Sequence, residues 1–131
     1  MLMTVATTKR LMALTGRGLL GIYFIIPGVT KITGWSNNVE YMAAHGVPLI
    51  PLALAITIVL QIGGGLSLLV GYRAQLCGIV LALLTLLISV FMHDFWNMEE
   101  GLQRMHETQN FVKNMAIMAG LLYVSGSRLE D

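Results

Sequence analysis

The sequence has 131 residues, of which 56% are hydrophobic and only 11% are charged, with a formal net charge of +1. Charged residues make up about a quarter of a typical soluble domain, so this chain has too few to form the polar surface of one. Its eight Lys and Arg residues are scattered, which argues against a nucleic-acid surface, and a single cysteine excludes an intrachain disulfide or CxxC dithiol. The composition predicts an integral membrane protein.

The first apolar stretch predicts a helix over residues 11–32, which follows two basic residues and ends near Gly34. A secretory signal peptide has a similar start, but no small-residue cleavage site follows this stretch, so we expect it to be retained as a helix. A cation that faces acyl chains costs a few kcal/mol or more unless its side chain snorkels. We therefore expect one helical stripe to face protein: Arg17, Gly21, Phe24, Gly28 and Lys31.

Two further helices are predicted over residues 49–71 and 74–92, and neither contains Asp, Glu, Lys or Arg. Each has about the 20 residues needed to cross the hydrocarbon core. Proline is tolerated in a first helical turn, so either Pro48 or Pro51 opens the first of them. Small residues at intervals of four predict close helix packing: Gly63, Ser67 and Gly71 here, and Ala116 and Gly120 in the last helix.

The last helix is predicted over residues 108–125, after a polar loop. These elements form an all-α, integral membrane four-helix bundle in one domain, residues 1–131. Five Lys and Arg residues fall on the side of the termini: Lys9, Arg10, Arg17, Arg73 and Arg128. Three fall on the other side: Lys31, Arg104 and Lys113. Because basic residues are in excess on the cytoplasmic side, both termini are predicted to be cytoplasmic.

Polar residues from three predicted helices meet at the outer level of the membrane. His93 and Lys31 each end a helix there, while Lys113 and Asn114 open the last one. A partly buried histidine beside a carboxylate such as Asp94 can exchange protons near neutral pH, and Lys and Asn donors can hold an anionic or carbonyl oxygen. An amide inside a membrane normally needs a partner, so Asn114 is the clearest sign of a polar interior.

Each of these residues also has a purely structural interpretation. His93 can cap the last carbonyls of its helix, the two lysines can snorkel to lipid head groups, and Trp35 and Trp96 can anchor helices at the interface. Three histidines are predicted to face outward, but their spacing matches no metal-ligand pattern: His45, His93 and His106. We therefore predict no metal site, and we find no haem or flavin motif.

Short motifs along nearly the whole chain resemble those of the DoxX family of small bacterial inner-membrane proteins. They occur in the expected order: Arg17–Gly21, Pro27-Gly28-x-x-Lys31, Tyr41-Met42, Gly46-Val47-Pro48, Gly63-Gly64-Gly65 with Gly71, His93-x-Phe95-Trp96 and Asn110-Phe111-x-Lys113-Asn114. The resemblance implies a four-helix membrane bundle. It also implies an association with quinone chemistry, through the family's link to subunits of thiosulfate:quinone oxidoreductase and quinol oxidase.

These implications lead to an accessory subunit of a quinone-linked oxidoreductase that is not catalytic alone. His93 would exchange protons, and six residues would contact the quinone: Arg17, Lys31, Gln61, Trp96, Lys113 and Asn114. Gln61 stands where the family commonly has Glu, so this position can hydrogen-bond a carbonyl but cannot take up a proton. The partners expected are membrane lipids, a redox protein and a second copy of the chain. Two alternatives remain open, a noncatalytic assembly scaffold and a small-solute transporter.

Overall fold

The computed structural model describes residues 4–127, which fold into five α-helices and one 3-10 turn, with no strand in this part of the chain. The helices are α1 (Val5–Thr33), α2 (Trp35–Ala44), α3 (Ile50–Val70), α4 (Ala74–Met92) and α5 (Leu102–Gly126), and the turn covers Phe95–Asn97. The all-α prediction is confirmed. Arg128, which supported the predicted orientation, lies outside the described residues.

Helix α1 begins six residues before the predicted start. Thr4 caps it by accepting a hydrogen bond from the Thr7 N–H at 3.1 Å, and Gly34 ends it. With 29 residues it is about 43 Å long, longer than the roughly 30 Å hydrocarbon core. The basic residues that mark the edge of the apolar stretch therefore lie within a helix that continues past that edge.

Helix α2 was not predicted, because residues 36–47 have the composition of a turn-rich connection. Its ten residues follow a break at Gly34, whose carbonyl accepts a hydrogen bond from Asn38 Nδ2 at 2.8 Å. No residue of α2 is buried. This helix consequently lies at the periphery of the bundle.

The two charge-free helices lie where the sequence places them. Helix α3 has Pro51 in its first turn and ends at Gly71, whose φ of +83° is in the left-handed region that glycine tolerates best. Both are long and apolar enough to cross a membrane, as is α1. Helix α5 has 25 residues but carries Glu107, Lys113 and Asn114, and among the described helices it is not one of these three.

The helices pack as two antiparallel pairs, α1 with α3 and α4 with α5, which α3 and α4 join. In the first pair Gly21 lies against Gly65, and an added Cβ on Gly65 would come within 2.6 Å of the Gly21 carbonyl oxygen. In the second pair Ser89 meets Asn114. Between the pairs lies a core of buried side chains that includes Phe24, Leu68, Leu81, Leu84 and Leu121.

The predicted α1 stripe is confirmed at its centre, where Gly21, Phe24 and Gly28 are buried. The predicted small-residue surface of α3 is wrong at Gly63, since a Cβ added there would meet nothing within 4 Å. The packed face carries Gly65 instead. Three consecutive glycines satisfy several helical spacings at once, so the sequence alone does not select the face that is buried.

Candidate functional site

An apolar cavity of about 310 Å³ opens between α2, α3 and α4, beside the end of α1. Its wall is mainly aliphatic and aromatic, with Leu54, Leu84, Ile88 and Phe91 among its residues. This volume lies within the range of small-molecule sites, which are typically apolar with a few polar groups that orient the ligand. This apolar cavity is the recess from which we build a candidate functional site.

Three side chains of the cavity wall can donate hydrogen bonds, those of Lys31, Asn38 and Thr57. Lys31 lies in the last turn of α1 and is partly buried. In the described part of the chain no carboxylate lies within ion-pair distance of its ammonium group. An unpaired cation in an apolar recess is costly, and an oxygen acceptor on a ligand would offset that cost.

A hydrogen-bonded polar layer joins α1, α4 and α5. The Tyr23 hydroxyl donates to Asn114 Oδ1 at 3.3 Å, and Asn114 Nδ2 donates to Ser89 Oγ at 3.2 Å. The Ser89 hydroxyl in turn donates to the Thr85 carbonyl at 2.7 Å. Asn114 is only 6% exposed, so the polar interior that this residue predicted is present between these three helices.

One turn further along α4, His93 pairs with Glu107. His93 Nδ1 lies 2.5 Å from Glu107 Oε2, and Glu107 is only 8% exposed. The sequence had suggested Asp94 as the carboxylate beside His93, and residue 107 was predicted to lie in the loop before the last helix. Helical periodicity could have identified Glu107 as the partner. Glu107 precedes Asn114 by two helical turns, so both residues lie on the same face of α5.

Asp94 instead pairs with His45, the residue that caps the C-terminal end of α2. His45 Nδ1 lies 3.2 Å from Asp94 Oδ1, and Asn97 Nδ2 donates to Asp94 Oδ2 at 3.0 Å. The ring centroid of Tyr41 lies 4.6 Å from that of His45, with the two ring planes tilted by 58°. Burial raises the pKa of the Tyr41 phenol, and the nearby carboxylates of Glu107 and Asp94 raise it further. Tyr41 thus lies close to both histidine and carboxylate pairs.

The remaining predicted site residues do not join this cluster. Lys113 is exposed on the side of α5 away from the hydrogen bonds of its neighbour Asn114. Arg17 lies at the opposite end of the bundle, with its guanidinium against Gly71. Trp96 is 47% exposed and packs against Phe95 and Phe111, with ring centroids 5.2 and 5.6 Å away.

Gln61 is 4% exposed and packs where α3 crosses Gly28 of α1. Its Oε1 atom is buried without a hydrogen-bond partner among the described residues. Gln61 does not line the cavity, which reaches Thr57, one turn before it on α3. Within residues 4–127, no three His, Cys, Asp or Glu side chains converge as metal ligands would.

We expect Glu107→Ala to lower the free energy of unfolding by about 1–3 kcal/mol, because it leaves His93 without its partner in a largely buried site. Glu107→Gln, which keeps a hydrogen-bonding group, should cost less. Thermal unfolding in detergent, followed by circular dichroism, measures both. Glu99→Ala removes an exposed carboxylate from the same corner and serves as the control. Equal melting temperatures for Glu99→Ala and Glu107→Ala would contradict a stabilising role for the pair.

The sequence model of the DoxX family matches residues 12–94, which is more than half of the chain. The chain belongs to the DoxX family. The match covers most of α1 and all of α2 to α4, and with them Lys31, the cavity and His93. Helix α5 lies beyond it, so Glu107 and Asn114 fall outside the matched part of this DoxX protein.

Two proteins of Escherichia coli strain K12 are similar to this DoxX chain. Inner membrane protein YqjF is 36% identical over 112 residues, which are 86% of this chain and 80% of that protein. Inner membrane protein YphA is 29% identical over 104 residues, which are 79% of this chain and 74% of that protein. No solved structure matches the chain. With its three candidate spans, this DoxX protein is a multi-pass inner-membrane protein.

Proposed function

We propose that this DoxX-family protein binds a quinone-like head group in the cavity between α2, α3 and α4, as an accessory subunit of a quinone-linked redox enzyme. The observation that carries the proposal is the placement of Lys31 in the wall of an apolar cavity without a carboxylate partner among the described residues. A quinone offers carbonyl oxygens at one end and an isoprenoid tail at the other. Its polarity thus matches that of the cavity.

The residues present fit such a ligand. The Lys31 ammonium can donate hydrogen bonds to a ring carbonyl, and such charge-assisted bonds are the stronger ones. Leu84, Ile88 and Phe91 provide apolar surface for the ring and the first part of the tail. Exposed apolar residues of α4 such as Leu83 and Val90 lie on the surface that faces lipid, where the rest of a tail can extend.

The pair formed by His93 and Glu107 is suited to proton exchange at the same end of the bundle. His93 directly follows Met92, which lines the cavity. A bound quinone would supply reversible uptake of two electrons and two protons. His93 can pass a proton between its surroundings and Glu107, and Glu107 holds the imidazole through Nδ1. A partner protein with its own redox cofactor would exchange the electrons, which makes this chain an accessory subunit.

Filling the cavity tests the location of the site. Ala53→Phe places an aromatic ring in the cavity wall, whereas Ala55→Phe, two residues away on α3, places the same ring on the exposed face. We expect Ala53→Phe to weaken the binding of a short-tailed benzoquinone about tenfold or more, equivalent to about 1.4 kcal/mol. Ala55→Phe should leave the affinity unchanged. Quenching of tryptophan fluorescence during titration of the purified protein measures it.

A second measurement asks whether the ligand is bound in the cell membrane. Mass spectrometry of a lipid extract from the gently purified protein should find a quinone in the parent and less of it in Ala53→Phe. If the parent contains none and added benzoquinone changes neither its fluorescence nor its thermal stability, the proposed function is wrong. A phospholipid in place of a quinone, depleted by the same substitution, would assign the cavity to lipid instead.

A further inference from the structure

Helix α2 forms one wall of the apolar cavity. Asn38 and Met42 of α2 line it, as do Val47 and Pro48 in the connection that follows. The opposite walls belong to α3 and α4, which are core helices. The position of α2 therefore decides how far the cavity is covered at the end where Lys31 lies.

Helix α2 buries little apolar surface against the rest of the bundle. It has no buried residue, whereas each of the four longer helices has at least three. Gly34 precedes it, and Gly46 follows it with a φ of +70°. A short helix between two glycines, with little buried surface, can change its angle to the core at low cost.

Titratable groups make the side-chain attachments of α2 to the α4 and α5 corner. His45 pairs with Asp94 at 3.2 Å, and Tyr41 faces Glu107, which itself pairs with His93. We call these four outer residues, Tyr41, His45, Asp94 and Glu107, the α2 latch. Among the described residues, every side-chain hydrogen bond from α2 and its cap to this corner has a carboxylate as its acceptor.

We propose that α2 is a pH-dependent lid on the cavity, which the latch holds closed when its histidine is protonated. The control of ligand access by this lid rests on the proposed function. The movement of α2 itself can be tested without any ligand. The lid closes as the pH falls and loosens as the pH rises. Closure covers the Lys31 end of the cavity, and loosening opens it for exchange.

The direction follows from the charges that face the latch. Two carboxylates, Asp94 and Glu107, approach α2 from the α4 and α5 corner, and each has a histidine neighbour. Arg104, one turn before Glu107, lines a surface recess of α5 instead, and the charged group that α1 brings to the cavity is Lys31. Protonation of His45 strengthens its pairing with Asp94, because imidazolium binds a carboxylate more strongly than neutral imidazole does.

Distance measurements between spin labels test this movement. In a Cys77→Ser background, labels are attached through Asn37→Cys on α2 and Gln103→Cys on α5, two exposed positions that lie outside the cavity wall. The full chain is studied in nanodiscs by double electron–electron resonance at about pH 5.5 and about pH 8.5, on either side of the range in which histidine changes charge. We expect a longer-distance population that grows about threefold at the higher pH, as suits a partly exposed ion pair.

Matched variants identify the latch as the cause. Asp94→Asn should show the longer-distance population at both pH values, whereas Glu40→Gln, which changes an exposed carboxylate of the same helix, should behave like the parent. Distance distributions that do not change with pH in the parent would overturn the lid, whatever the cavity binds. If the distances change as expected but benzoquinone does not bind, the lid stands and the proposed function fails.

Discussion

Gly65→Ala is expected to lower the free energy of unfolding by about 1–3 kcal/mol or more, the range for overpacking a filled interior. A Cβ at this position would come within 2.6 Å of the Gly21 carbonyl oxygen and 2.7 Å of Ile25 Cγ1. The first of these atoms is backbone and cannot rotate away, so α1 and α3 would have to separate. Small residues that allow helix backbones to approach are a principal source of helix association in membranes.

Gly63→Ala provides the matched control. Gly63 is two residues away on the same helix, and an added Cβ there meets nothing within 4 Å. Since alanine favours a helix over glycine by about 1 kcal/mol, this variant should be as stable as the parent or more so. Thermal unfolding in one detergent, followed by circular dichroism, compares the two. Similar melting temperatures for both variants would contradict the register in which α1 and α3 pack.

The reciprocal contact gives a further check on that register. An added Cβ on Gly21 would lie 2.5 Å from the Gly65 carbonyl oxygen, so Gly21→Ala should separate the same two helices. Once one substitution has moved the helices apart, the second should lower the free energy of unfolding by less. The double variant should therefore lose less stability than the two single losses combined, as expected for residues that share one contact. Full additivity would indicate two independent sites.

The charge-free helices were predictable because hydrocarbon permits few backbone conformations. Helix α3 differs by one residue at each end from its predicted limits, 49–71, and α4 has its predicted limits, 74–92. A peptide group in lipid must be hydrogen-bonded within its own segment, so a long apolar run becomes a helix almost regardless of its detailed sequence. This constraint weakens at the membrane surface, where water and head groups can satisfy a turn or a helix equally.

The elements that were predicted wrongly from the sequence lie at the membrane surface. Helix α2 begins with Trp35, Ser36, Asn37 and Asn38, a run that is compatible with a turn or with a helix. The polar start of α5 was likewise assigned to a loop, which separated Glu107 from the helix that positions it. Because Glu107 was taken as a loop residue, its pairing with His93 could not be predicted.

The candidate site was predicted in parts for a related reason. Helical periodicity places Asn114 on a buried face of α5. Lys113 precedes it by one residue, which corresponds to a rotation of about 100° around the helix axis, and its side chain is exposed. The sequence prediction grouped Lys113 and Asn114 by their shared depth in the membrane. Depth does not show which of the two side chains points into the bundle. The cavity beside Lys31 depends on the angle at which α2 crosses α3 and α4, which no local sequence pattern encodes.

Lys31→Met is expected to weaken benzoquinone binding about tenfold or more, because it removes a charge-assisted hydrogen bond worth about 1.5–3 kcal/mol in an apolar cavity. Methionine keeps much of the length and apolar surface of lysine, so the cavity wall should retain its shape. The same variant should be as stable as the parent or more stable, since a partly buried cation without a carboxylate partner among the described residues is costly to the empty protein. A loss of affinity together with a gain in stability separates a ligand-binding role from a structural one.

Lys113→Met is the control, because it removes a cation at the same level of the bundle from an exposed position outside the cavity wall. Its affinity for benzoquinone should match that of the parent. Titration of both variants by tryptophan fluorescence, with thermal unfolding of the same samples, gives the two quantities. Equal losses of affinity in both variants would indicate a general effect of charge at the membrane surface, and Lys31 would then not be the residue that holds the head group.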